Sequence, residues 1–149
     1  MSVNGSMVMP LPPKDGDGSA WQIAEPGIYE GFWQEDLGGL ELVTLQIDFR
    51  YGTGSGGVRV CIQSSLDQGD TAYDLAVFDF TNTSRKVLVA IRNASIDGFT
   101  APGFNGVGSD AQTESEGIIC SVIGDRLRAN VLADGTYQNT TLSIRAMPV

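Results

Sequence analysis

Apolar and polar residues alternate with a period of two along most of this chain, and no 3.6-residue period lasts longer than two turns. That pattern suits strands with one buried face and leaves no room for long amphipathic helices. The clearest stretch is Leu40 to Tyr51. There Leu45, Ile47, Phe49 and Tyr51 face one way while Thr44, Gln46, Asp48 and Arg50 face the other. Leu40 and Leu42 have the opposite parity, which predicts a bulge near Leu42-Val43. Val58, Val60 and Ile62 alternate with Arg59, Cys61 and Gln63, so Cys61 is expected to point away from the core. Tyr73 to Phe80 reads as a strand with a parity slip at Val77-Phe78. Val87, Val89 and Ile91 make another, with Arg92 outside. Leu127, Ala129 and Val131 form the next, then Leu142, Ile144 and Ala146. Ile28 to Trp33 reads as a short aromatic strand behind Pro26-Gly27. Gly52 to Gly57 reads as a turn, and Asp134-Gly135 as a turn between the last two strands.

Seven or eight short strands in 149 residues predict an all-β fold, and the chain shows no internal repeat. The favoured form is a jelly-roll-like antiparallel β-sandwich over 21–149, with an immunoglobulin-like sandwich as the alternative. Residues 1–20 stand apart. Pro10, Pro12 and Pro13, followed by glycines and charges, read as an extended arm that is either a loose terminus or ordered on a neighbouring subunit. Residues 96–117 form a second irregular stretch, Gly-rich and with four acids but no base. Loops of that length are commonly functional or disordered. Its Phe99 and Phe104 either pack back on the sandwich or anchor a partner.

Composition narrows the chemistry. Nine Lys and Arg stand against eighteen Asp and Glu, a net charge of −9, which argues against nucleic acid as a partner. The chain has no His, the commonest general base and metal ligand. It has no G-x-S-x-G and no CxxC, and its Gly52–Gly57 run lacks the ending of a phosphate loop. Asp15, Asp17, Asp67, Asp70, Asp110, Glu114 and Glu116 match no calcium-loop spacing and are read as solvated charge, and no carboxylate pair is singled out for glycoside hydrolysis. Catalysis, cofactors and metals are therefore not expected. Neither an apolar run of membrane-spanning length nor a signal peptide is recognisable, so the expectation is synthesis in a cytosol, with Cys61 and Cys120 as thiols and no membrane partner. The N-x-S/T triplets at Asn82, Asn93 and Asn139 are read as loop chemistry.

Two further features stand out, a turn device and a basic cluster. Ser65-Leu66-Asp67-Gln68-Gly69-Asp70-Thr71 is similar to an Asp-box hairpin, in which the carboxylate bonds backbone amides and Gly takes a positive φ. Arg126, Arg128 and Arg145 give residues 118–149 a net +1 while the rest carries −10. If the last two strands pair, these arginines form a stripe that meets carboxylates on its own sheet or an acidic patch on another subunit.

Gly117-Ile118-Ile119, then Gly124 to Ala129, Gly135-Thr136-Tyr137 and Thr141 to Ala146, together with the Ser64–Tyr73 hairpin within the Val58–Phe80 region, resemble small structural proteins of tailed bacteriophages. The resemblance spans residues 40–149 as short motifs. It implies a non-enzymatic virion component, a capsid decoration or head-spike-base subunit, made in the host cytoplasm. The implied partners are the major capsid protein, other virion proteins and copies of itself, with a homotrimer expected. A tail or neck subunit is a variant of this reading. The rival is a carbohydrate-binding module with Trp21, Tyr29, Trp33 and Tyr137 as platforms. The subunit interface is expected at Arg126, Arg128, Arg145, Phe99, Phe104, Pro10, Pro12 and Pro13.

Overall fold

The computed structural model describes residues 7–8, 20–93 and 116–148, and among them every regular element is a strand. In chain order these are β1 (Met7–Val8), β2 (Trp21–Ile23), β3 (Gly27–Glu30), β4 (Leu42–Arg50), β5 (Thr53–Ser55) and β6 (Val58–Ser65). They continue with β7 (Tyr73–Phe80), β8 (Arg85–Arg92), β9 (Gly117–Ile118), β10 (Arg126–Ala133), β11 (Thr136–Gln138) and β12 (Thr140–Pro148). One sheet runs β1-β12-β4-β8, with β2 sharing the outer edge of β12 with β1. The other runs β3-β10-β6-β7-β9, and β5 with β11 forms a small third sheet. All pairings are antiparallel.

The alternation decides which side chains meet between the two large sheets. Val43, Leu45, Ile47 and Phe49 of β4, with Leu142, Ile144 and Ala146 of β12, face Val58, Val60 and Ile62 of β6 and Leu127, Ala129 and Val131 of β10 in one core. Phe49 is its aromatic centre. It stacks on Phe80 at 5.0 Å between ring centroids and meets the edge of Tyr137 at 6.5 Å. A fully buried apolar side chain contributes about 1.5–3 kcal/mol, so packing of this row dominates the stability.

Several local expectations are corrected. The β4 register runs unbroken against β8 and β12, so no bulge lies at Leu42-Val43. Leu40 reaches the core from the preceding turn, where Gly39 has φ 79°, and Leu42 stays on the outer face. The parity slip of β7 lies at Leu75, where Ile62 pairs with Ala76 and Gln63 with Asp74, leaving Leu75 as the extra residue; both Leu75 and Ala76 join the core. Gly52–Gly57 is more than a turn, because its middle forms β5 against β11. A Cβ on Gly135 would collide with the Ser55 carbonyl, so the β5–β11 end closes only with glycine there. The aromatic strand ends at Glu30, with Gln34 returning as a single bridge to Leu127. The last two long strands do not pair, since β10 and β12 lie in different sheets with β11 between them in sequence. Most of the arm and of the 96–117 loop lies outside the described residues. Met7 and Val8, however, pair with Ala146 and Arg145 of their own chain.

Candidate functional site

The outer face of the second sheet is built from three rows that follow its register. Ile28, Leu132, Arg59 and Asp79 form the first, Glu30, Asn130, Cys61 and Val77 the second, and Arg128, Gln63 and Asp74 the third. An outer face of an antiparallel sheet is ordinarily wet. Here much of it is dry. Cys61, Val77 and Leu132 form a second apolar cluster beneath Ile119, and Gln63 and Asp74 are fully buried. Cys61 therefore faces away from the main core as its alternation requires, yet it is not exposed. Burial, and then the nearby Asp74 carboxylate, push its thiol up to about 12, which keeps it protonated and poorly nucleophilic.

The polar groups on this face hold one another. Arg59 grips Asp79 with Nε at 2.7 Å and Nη2 at 2.9 Å from the two carboxylate oxygens. Gln63 donates to Asp74 at 2.8 Å and accepts from Arg128 Nε at 2.9 Å. Arg128 also pairs with Glu30, and its guanidinium lies 4.5 Å over the Trp33 ring. Arg126 bonds Glu35, Asp125 and the Gln68 carbonyl. A cleft of about 620 Å³ opens over the first row, between Ile28, Leu132, Arg59, Asp79 and Asp134.

The Ser65–Thr71 hairpin is organised as its sequence predicts. Asp67 accepts the Thr71 amide at 2.9 Å, the Thr71 hydroxyl at 2.6 Å and the Ser65 hydroxyl at 2.8 Å. Gly69 has φ 92°, and a Cβ there would lie 2.8 Å from Trp33 Nε1. The tip is thus seated against the segment after β3. The Thr71 and Ser65 bonds hold the Asp67 carboxyl down at about 2 from an ordinary 3.8. A carboxyl with a depressed folded value stabilises the fold above its unfolded value and loses that contribution as pH falls from about 3.8 to about 2. Asp67→Asn is expected to lower the urea midpoint at neutral pH and to flatten its dependence across that acid window. Denaturation at stepped pH checks this.

The three arginines do not form one stripe. Arg126 and Arg128 sit on β10 within the ion pairs above, whereas Arg145 is exposed on β12 of the other sheet. Around Arg145 the outer face of the first sheet carries its own pattern. Arg145, Gln46 and Leu88 make one row, Met147, Thr44 and Ala90 the next, and Ser143, Asp48 and Lys86 a third. Arg50 and Arg92 share this face with Lys86 and Arg145, and Arg50 bonds Asp48 on its own strand. Leu88 is 70% exposed and Met147 44%. Sequence reading passed over this face because its bases are spread over three strands that only the pairing brings together.

Phe99, Phe104, Pro10, Pro12 and Pro13 lie outside the described residues, as do Asp15, Asp17, Asp110 and Glu114. Glu116 pairs with Arg85 at 2.6 Å. Of the four aromatic platform candidates, Trp21 and Tyr137 are core residues and Tyr29 packs against that core. Trp33 has one face under Arg128. Phe32, 58% exposed, was not singled out by the sequence reading. Asn93 is buried and bonds Leu40 and Ile123 through its amide. Among the described residues no group of three or more His, Cys, Asp or Glu is placed to hold a metal ion. Both cysteines are free thiols, and no helix among those residues is long and apolar enough to cross a membrane. Comparison with protein-family models, with curated proteins and with solved structures finds no match for this chain.

Proposed function

We propose that this chain is a non-enzymatic structural subunit of a tailed-phage virion, a capsid decoration or head-spike-base protein that attaches to the shell and to copies of itself. The observation that carries the reading is the strand order. Setting aside β1, β9 and the small third sheet, the two layers run β2-β12-β4-β8 and β3-β10-β6-β7. Eight strands divided and ordered in this way support a jelly roll, an architecture used in viral capsid and lectin domains. The short-motif resemblance over residues 40–149 points the same way. The polar side chains add to it, because on the second sheet Arg59, Gln63, Asp74, Asp79, Arg126 and Arg128 are engaged in bonds within the chain. A subunit of this kind works through its surfaces.

A sugar-binding module is the second reading, favoured by the cleft over Arg59 and Asp79, since paired charges beside the apolar Ile28 and Leu132 suit a hydroxylated ring. Antibodies raised against the chain provide the test. Immunogold on intact virions from the encoding virus is expected to mark the head. Label on the tail or neck moves the subunit to that part of the particle. Unlabelled virions together with tryptophan fluorescence that responds to a glycan panel would replace the virion reading with the sugar-binding one.

A further inference from the structure

We propose that copies of this chain assemble by exchanging β1, so that Met7–Val8 of one copy pairs with β12 of the next at the edge it takes on its own β12 in the single chain. The proposal deepens the reading above and rests on its claim that the chain binds copies of itself. It comes from register. Both β1 and β2 run antiparallel to β12 along one edge, β2 opposite Thr140 to Leu142 and β1 opposite Arg145 and Ala146. Carrying the β2 pairing back along the chain would set residue 18 opposite Arg145, yet Val8 stands there. Ten residues are therefore surplus to what one continuous edge strand needs.

Between Leu142 and Arg145 the edge advances about 10 Å. The chain joining Val8 to Trp21 can span about 40 Å when extended. Holding the ends of so long a connection close together costs closure entropy, and a two-residue strand offers few bonds against it. Pro10, Pro12 and Pro13 fall within this connection and have no N–H to give to a ladder. A reach of about 40 Å is of the order of the diameter of a domain this size, which brings the same edge of a neighbour within range. Identical copies offer identical edges, so exchange keeps every β1–β12 bond and changes only which chain closes it. Strand addition of this kind binds through main-chain bonds and needs no pocket. Donation from each copy to the next closes a ring in which every β12 edge is filled, and a ring of three fits the expected trimer.

Two experiments on the full chain test the exchange. Val8 and Arg145 are direct cross-strand partners, and the native Cys61 and Cys120 are buried. Val8→Cys and Arg145→Cys, made as separate variants, are mixed, refolded together and oxidised. Exchange is expected to give a covalent dimer on a non-reducing gel, with the bond between positions 8 and 145 located by peptide mass mapping. Pairing within each chain gives no such bond, because neither variant carries both thiols. In the second experiment residues 9–18 are deleted, which leaves Ser19 and Ala20 to face Ile144 and Ser143 and joins β1 to β2 as one strand on its own β12. Thermal melts verify that this variant is folded. It is expected to sediment as a monomer where the unaltered chain sediments as an oligomer. A mixture without the 8–145 bond, or a shortened chain that assembles as the unaltered one does, would overturn the exchange. A chain that self-associates without that bond loses the exchange and keeps the reading above. One that exchanges but labels no virion keeps the exchange and loses the virion.

Discussion

Phe49→Ala is expected to lower the unfolding free energy by about 3–5 kcal/mol, the usual loss when a buried phenylalanine is cut to alanine. Phe49 has no exposed surface, and both ring partners, Phe80 and Tyr137, come from outside its own strand. Phe80 ends β7 in the second sheet, and Tyr137 belongs to the small β5–β11 sheet. The truncation therefore leaves a cavity where all three sheets meet, and none of them alone can collapse to fill it. Urea denaturation followed by tryptophan fluorescence reads the loss directly. A cost near that of a surface substitution would mean that the sheets are not packed through this residue.

The second large effect separates two arginines that looked alike in sequence. Arg128→Ala is expected to destabilise the fold by about 1–3 kcal/mol, because it takes the donor from the buried Gln63 amide oxygen and strips the guanidinium from the Trp33 ring. Arg145→Ala, exposed on the other sheet, is expected to change stability by no more than about 0.5 kcal/mol. Parallel denaturation of the two variants checks the division. Equal losses of stability would contradict the separation of a structural arginine on β10 from a surface arginine on β12.

That division marks how far the sequence could be read. Strand parity along β4 and β12 was legible because each has one face in the main core and the other more open, and the same alternation recurs in side-chain burial. The Asp67 hairpin was legible because its bonds are local, within four residues of the carboxylate. What alternation cannot show is whether the opposite face is wet. Cys61, Gln63 and Asp74 occupy outward positions, yet they are buried: Cys61 packs under Ile119, and Gln63 bonds both Asp74 and Arg128, with Ile119 and Arg128 coming from chain far away in sequence. Nor does it tell which strands are neighbours. Asp134-Gly135 looked like a hairpin turn, but the chain at that point leaves one sheet for the other, and the expected arginine stripe was lost with that pairing. The basic face around Leu88 was invisible for the same reason, since its charges lie on β4, β8 and β12 and adjoin only through register.

The absolute mass of the chain in solution, from light scattering coupled to size exclusion, tests most directly whether this protein is an assembly subunit. The account predicts a closed species near three times 15.8 kDa. A monomer at every concentration, or a species that stops at the dimer, would contradict it.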